Sequence, residues 1–267
     1  MPAGETTPVV PRPAATVIVA RPCPDGVELF MVRRDPNSRF AADAFVFPGG
    51  TVDADDYVTG GDPSLAGLTV DEAHRRLSER GGEAPEASAL SLALHVAAVR
   101  ELFEEAGILL VNRRGDADTA PDLDDADALD MDRRGVQAGR LTFSALLRER
   151  GLMAATPRLT YFSHWITPAP SPRRYDTRFF VCELPDGQEA THCGVETVDG
   201  IWISPSQAIE RHDQGTMTLV SVTRDHLERL ATCETVDALA EFARRKGIRT
   251  VNPRRRDRDW DNGEDDW

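Results

Sequence analysis

Residues 100–108, R-E-L-F-E-E-A-G-I, put three glutamates on one short stretch of expected helix, and no other stretch constrains the fold as much. Glu104 and Glu105 lie three and four positions beyond Glu101 and share a side of the helix with it, while Val99, Leu102 and Ala106 face inward. Like charges at this spacing destabilise an isolated helix by roughly 0.2 to 0.5 kcal/mol per pair. Arg100 can pair with Glu104, four residues on, but one cation cannot neutralise three carboxylates. A divalent cation can, and hard ions such as Mg²⁺ take carboxylate oxygens as ligands. A solvated acidic helix face is the other reading of these nine residues, and the chain upstream weighs between the two.

The helix is expected over residues 86–106, because Leu92, Val96, Val99, Leu102 and Ala106 recur at three- and four-residue steps, with Gly107 as its C-terminal cap. Before it, ATVIVARP (15–22) and VELFMVRR (27–34), separated by Pro24-Asp25-Gly26, read as a β-hairpin. AFVFPGG (44–50) reads as a strand ending in a flexible turn, where Pro48 closes the ladder and Gly49 and Gly50 permit unusual backbone angles. TVDEAHRRLSER (69–80) begins with Thr69 and Glu72 at capping-box spacing and predicts a short helix.

After the long helix, ILLVN reads as a buried strand, the acidic run GDADTAPDLDDADALD (115–130) as a solvated excursion, and TFSALLRERG as a short helix. Three strands follow, in RLTYFSHWITP, DTRFFVCELP and DGIWISP, then helices near SPSQAIERH, VTRDHLERLA and TVDALAEFARRKG. This order predicts an α/β or α+β sandwich, a mixed β-sheet flanked by helices. Residues 1–14 are expected to form a flexible arm, 15–252 a single domain, and 253–267 a disordered charged tail.

A formal net charge of -14, with a pI near 4.9, argues against sequence-independent attachment to nucleic acid or to an anionic membrane surface. No uninterrupted apolar run approaches the roughly 20 residues that span a bilayer, and the first residues do not read as a secretory signal, so a cytoplasmic chain is expected. Cys23, Cys182, Cys193 and Cys233 form no C-x-x-C pair and read as scattered reduced thiols. The histidines lack H-E-x-x-H spacing, so zinc is not expected.

R100-E-L-F-E-E-A-G-I108 matches, at every specified position, the second half of the Nudix box, G-x5-E-x7-R-E-U-x-E-E-x-G-U with U apolar. F47-P-G-G50 resembles the approach to its first half. Asp56 occupies the position where the family usually has glutamate, and Arg100 stands 36 residues beyond where an uninterrupted box would place it. The inserted stretch, about residues 57–92, accounts for the helix expected at 69–80. The sequence thus resembles the long-insertion subgroup of Nudix hydrolases that includes the peroxisomal coenzyme A diphosphatases. R174-Y-D-T-R-F-F180 and W202-I-S-P-S-Q-A-I209 look like that subgroup as well.

The resemblance implies metal-dependent hydrolysis of a diphosphate bond in a nucleoside-diphosphate conjugate. It implies Mg²⁺ or Mn²⁺ held by Glu101, Glu104 and Glu105, catalysis involving Glu104, and Arg100 orienting the glutamates. Glu196 is the candidate general base, with a plain loop acid as the other reading. Candidate substrate-binding residues are Arg34, Arg39, Gly49, Gly50, Arg174 and Arg178.

Arg34 and Arg39 fall at both arginine positions of the motif L-L-T-x-R-[SA]-x3-R-x3-G-x3-F-P-G-G of some coenzyme A-cleaving relatives, while Phe30, Met31, Val32, Asp35 and Asp43 depart from it. Two arginines there suit a 3′-phosphate through charge-assisted hydrogen bonds; solvated edge-strand arginines are the alternative. The implied substrate is coenzyme A or acyl-coenzyme A, giving 3′,5′-ADP and 4′-phosphopantetheine, with an ADP-sugar or dinucleotide as the alternative. A non-catalytic nucleotide sensor of the same fold would be expected to have lost one or more of the metal carboxylates, and all three are present. The expected partner is therefore a small-molecule nucleotide conjugate, without nucleic acid or membrane. Homodimers are common among Nudix relatives.

Overall fold

The computed structural model describes residues 9–38, 41–116, 121, 123, 125–169, 171–194 and 197–252. Its strands are β1 (Arg12–Cys23), β2 (Gly26–Arg34), β3 (Phe45–Val46), β4 (Gly49–Thr51), β5 (Val111–Arg113), β6 (Leu152–Ala154), β7 (Thr160–Ile166), β8 (Tyr175–Glu183), β9 (Thr197–Ile203) and β10 (Thr250–Val251). Its helices are α1 (Ala54–Gly61), α2 (Pro63–Ala66), α3 (Val70–Ser78), α4 (Ser88–Ala106), α5 (Ala126–Gln137), α6 (Phe143–Glu149), α7 (Pro205–Asp213), α8 (Ser221–Leu230) and α9 (Val236–Arg245).

Eight strands form one mixed sheet in the order β10-β7-β8-β1-β2-β3, with β4 also on β1 and β9 also on β2. β1–β8 and β10–β7 are parallel, and the other pairs of this sheet are antiparallel. β1 is buried on both faces, which is why its sequence is almost continuously apolar. Ala15, Val17 and Val19 pack on the side of α4, while Ile18 and Ala20 join the side where Leu227 and Leu230 of α8 and Leu239 and Ala243 of α9 sit. The expected mixed sheet between helical layers is observed.

α4 is more deeply enclosed than an amphipathic surface helix. Every residue from Ser91 to Arg100 is buried, because the sheet lies against one side and α1, which leads into the inserted stretch, and α3, which lies within it, cover others. Fully burying a Leu or Val side chain contributes roughly 1.5 to 3 kcal/mol, so Leu92, Val96, Val99 and Leu102 make this helix a principal element of the core. The Thr69–Glu72 capping box is present: the Thr69 N–H donates to the Glu72 carboxylate at 2.8 Å, and the Glu72 N–H donates to Thr69 Oγ1 at 3.3 Å. Gly107 adopts the left-handed conformation, φ +70°, and its N–H reaches the Phe103 carbonyl at 3.0 Å.

Some expectations need correction. β1 begins at Arg12, inside the stretch read as a flexible arm, because its backbone pairs with the start of β8. Gly49 and Gly50 are strand residues paired with Thr16 and Ala15, and neither has a positive φ, so they do not form a flexible turn. The acidic run 115–130 ends inside α5, and α1, α2, β6 and β10 were not anticipated. The four cysteines are free, as expected. Among the described residues no helix is long and apolar enough to cross a membrane. The charged stretch 253–267 lies outside the described residues.

Candidate active site

β4 leads directly into α1, whose start fixes one wall of the site. Asp53 caps the helix by accepting from the Asp55 and Asp56 N–H groups, and the Asp56 carboxylate accepts from the Asp53 N–H at 2.8 Å. Asp56 is thereby held fully buried. It faces Arg100 on α4, which donates Nε and Nη2 to its two oxygens at 2.9 Å each. Arg100 Nη1 donates to Glu101 Oε1 and Glu104 Oε1, both at 2.8 Å, and Nη2 also donates to the Thr51 carbonyl at 2.9 Å. All five guanidinium N–H groups are therefore engaged, and this fork sets the orientation of two of the three glutamates.

The third, Glu105, accepts from the Gly49 N–H at 2.9 Å. A Cβ on Gly50 would overlap the Glu101 carboxylate, and one on Gly49 would overlap the Ala15 carbonyl and Thr16. Glycine is needed at both positions for close approach of the strand to α4 and to β1, not for an unusual φ.

Asp56, Glu101 and Glu104 thus share the guanidinium of Arg100, with Asp53 Oδ2 3.7 Å from its Nε, while Glu105, on the same turn of α4, is held by the Gly49 N–H. Burial pushes Asp56 up to about 6 even against Arg100. Burial also pushes Glu101 up to about 8; Arg100 opposes this, and the charges of Glu105 and Glu104 add to it. Arg100 itself binds its proton more tightly than an ordinary arginine: burial acts against this, but its bonds to Asp56 and the neighbouring glutamates outweigh it.

Such a cluster lacks positive charge, and the Oε2 atoms of Glu101 and Glu104 stay outside the Arg100 bonds. A hard divalent cation fits that donor set by charge and by ligand type. In their present arrangement, no three His, Cys, Asp or Glu side chains among the described residues are grouped as a metal site.

The structure therefore brings Arg100, Glu101, Glu104, Glu105, Gly49 and Gly50 together. Arg34, half-buried at the end of β2, donates Nη2 to Ser38 Oγ at 3.2 Å, and its Nε is buried with no hydrogen-bond partner among the described residues. Arg39 and Glu196 lie outside the described residues. Arg174 is taken up by backbone: Nε donates to the Thr167 carbonyl at 2.8 Å and Nη1 to the Val9 carbonyl at 2.9 Å, which fastens the N-terminal segment. Arg178 is 3% exposed, ion-paired with Asp176, and donates to the Glu83 carbonyl at 3.2 Å. Arg174 is thus bound to protein backbone, whereas Arg178, beside its contacts to Asp176 and Glu83, keeps its Nε buried without a hydrogen-bond partner among the described residues.

Asp43 stands where the coenzyme A-type motif has glycine. Its φ is +62°, a conformation that aspartate tolerates better than most residues, and its carboxylate pairs with Arg33 at 2.6 Å. Asp56 holds the acidic position of the box but was not among the candidate site residues; the box itself was the signal that could have included it. Arg133 and Gln137 of α5, which donate to the Glu104 carbonyl, had no signal in the sequence.

The fold and the carboxylate cluster together define a Nudix hydrolase. The NUDT19 Nudix domain family matches residues 10–230, so the chain belongs to the Nudix hydrolases. It is similar to the acyl-coenzyme A diphosphatase NUDT19 of Gallus gallus, with 30% identity over 278 residues covering 87% of this chain and 71% of that one. The protein of the same name from Xenopus laevis is 26% identical over 237 residues, covering 80% of this chain and 62% of that one, so the chain spans less than two thirds of the frog protein's length. A crystal structure of a Nudix hydrolase from Alicyclobacillus acidocaldarius is similar with a TM-score of 0.68 at 27% identity, over 87% of this chain and 96% of that one.

Proposed function

We propose that the chain hydrolyses the diphosphate of coenzyme A or an acyl-coenzyme A, releasing 3′,5′-ADP and a 4′-phosphopantetheine species. The observation that carries the reaction type is the cluster of Asp56, Glu101 and Glu104 on one guanidinium, with Glu105 beside them bonded to the glycine strand. The similarity to the acyl-coenzyme A diphosphatases supports the substrate class. Glu101, Glu104 and Glu105 would hold Mg²⁺ or Mn²⁺, which would supply charge neutralisation at phosphoryl oxygens and a more acidic water.

The remaining work belongs to the chain. Asp56 fixes Arg100, Arg100 fixes Glu101 and Glu104, and the Gly49 N–H fixes Glu105. The absence of side chains at Gly49 and Gly50 lets β4 lie against the Glu101 carboxylate and β1, which brings the strand and the glutamates into one site. Glu196 serves as general base. Arg34, whose Nε has no hydrogen-bond partner among the described residues, and Arg39 contact the 3′-phosphate, while Arg174 and Arg178 act as structural support. A small-molecule conjugate rather than nucleic acid agrees with the net charge of -14.

The test is product analysis on coenzyme A, an acyl-coenzyme A, an ADP-sugar and a dinucleotide polyphosphate, each with Mg²⁺ and with Mn²⁺. The expected products are 3′,5′-ADP and the phosphopantetheine species, and Glu104→Gln is expected to lower kcat by about a hundredfold or more. Cleavage of the ADP-sugar or dinucleotide alone would replace the substrate class. Cleavage of none would overturn the reading as a diphosphatase.

A further inference from the structure

The last turn of α4 is held from outside by residues that belong to no part of the Nudix box. Arg133 of α5 is 5% exposed. Its Nε donates to the Glu104 carbonyl at 2.9 Å, Nη1 to Thr191 Oγ1 at 2.9 Å, and Nη2 to the Thr191 carbonyl at 2.8 Å. Gln137, one turn along α5, donates to the same Glu104 carbonyl. The Thr191 N–H donates to the Ala106 carbonyl at 2.8 Å, and the Gln188 side chain accepts from the Leu109 N–H at 2.8 Å and donates to its carbonyl at 2.9 Å. A Cβ on Gly107 would crowd both the Arg133 guanidinium and the Thr191 hydroxyl.

The final carbonyls of a helix lack intrahelical partners and carry the negative end of its dipole. Here that end adds to the charge of the glutamates, and Arg133 is a buried cation placed against it. Val136 and Leu129 on α5 pack into the core, so position 133, three and four residues from them, would be filled most simply by an apolar side chain. Burying a guanidinium there is unfavourable unless its hydrogen bonds are made, and those bonds link two segments far apart in sequence. Burial lowers its pKa from the ordinary arginine value, with Cys193, Asp130 and Glu105 acting the other way.

We infer that Arg133 is a positioning residue: it sets the spacing between the Glu104 turn of α4, which carries the carboxylates proposed to hold metal, and the loop through Gln188 and Thr191. Its consequence for catalysis rests on the proposed diphosphatase reading, whereas the joining of helix and loop does not.

The test compares Arg133→Met, Arg133→Lys and Thr191→Val with Arg80→Met. Arg80 is a control because its guanidinium also satisfies backbone carbonyls, those of Ala243, Lys246 and Tyr161. Melting temperature, Mn²⁺ affinity by electron paramagnetic resonance titration, and kcat, KM and the pH–rate profile with an acyl-coenzyme A are measured. Arg133→Met is expected to lose about 10- to 100-fold in kcat with KM within about threefold of wild type, and to shift the pH–rate profile. Arg133→Lys recovers part of the loss, and Thr191→Val shows a smaller loss in the same direction. Arg80→Met lowers the melting temperature with kcat within about twofold of wild type.

A folded Arg133→Met with wild-type kcat, pH profile and Mn²⁺ affinity would overturn the inference. Should Arg133→Met fail to fold, unchanged kcat and pH profile in Thr191→Val would overturn it instead. If wild type binds Mn²⁺ but cleaves none of the conjugates, the diphosphatase reading falls. The inference is then decided by Mn²⁺: about tenfold weaker binding in Arg133→Met upholds it, and unchanged binding overturns it.

Discussion

Gly50 has no side chain because the Glu101 carboxylate already occupies the space where one would begin. Gly50→Ala is therefore expected to displace that carboxylate or the strand, destabilising the fold by about 1 to 3 kcal/mol in urea denaturation and weakening Mn²⁺ binding at least about tenfold in a metal titration. Asp56 takes both Nε and Nη2 of Arg100. Asp56→Ala should cost about 3 to 5 kcal/mol by the same denaturation measurement, since a buried guanidinium would lose its bidentate partner. Much of this residue-level site was legible in the sequence, because Arg100, Glu101, Glu104 and Glu105 are neighbours on one helix and their spacing reports their common side. The importance of Gly49 and Gly50 was also legible, although for the wrong reason. Their neighbours Ala15, Thr16 and Glu101 come from other elements, and no local pattern reveals close approach. Arg133 was illegible for a related reason: its partners are two backbone carbonyls and a hydroxyl distant in the chain, and an arginine among aspartates looks like a surface residue.

At the scale of elements, the longer strands and most helices were readable, whereas the short strands β6 and β10 and the helices α1, α2 and α5, each opened by an aspartate cap, were not. Asp125 accepts from the Ala128 N–H at 2.9 Å and Asp127 lies in the first turn of α5, where carboxylates favour the positive end of the helix dipole. Acidic composition there marked a helix start, not a solvated loop. α1 begins in the same way, with Asp53, Asp55 and Asp56. The capping box on α3 allows a cleaner test of the insertion. Thr69→Ala removes the acceptor of the Glu72 N–H and should cost about 1 kcal/mol, lowering the melting temperature by about 2 to 4 °C, with kcat unchanged. A larger fall in kcat than in stability would show that α3 influences the carboxylates through its packing on α4.

Across the whole molecule, Lys246 ties the C-terminal region to the sheet. Its Nζ donates to the Phe162 carbonyl at 2.6 Å and lies 4.4 Å from the centre of the Phe162 ring. Burial, with repulsion from Arg229 and Arg80 and opposed by Asp225, pushes its pKa down to about 7 from the ordinary 10.5. Between those two pH values the unfolded chain holds a proton that the folded chain lacks, so this lysine makes stability rise with pH through that window, by up to about 1.4 kcal/mol per pH unit. Urea midpoints at pH 7, 8 and 9 should show that rise in wild type relative to Lys246→Met. A constant difference between the two proteins would show that the ammonium is not disfavoured by its surroundings.

The stretch that divides the Nudix box is fastened along its length: Asp55 accepts from Ser144 N and Oγ at 2.8 and 2.6 Å, Thr156 donates to the Ala66 carbonyl, and Arg80 reaches Tyr161, Ala243 and Lys246. A backbone nick near Gly81 and Gly82 would thus leave two fragments clasped to each other. One would contribute Gly49, Gly50 and Asp56, the other Arg100 and the three glutamates. The catalytic centre is in this sense the joint of a complementation pair that happens to be encoded as one polypeptide.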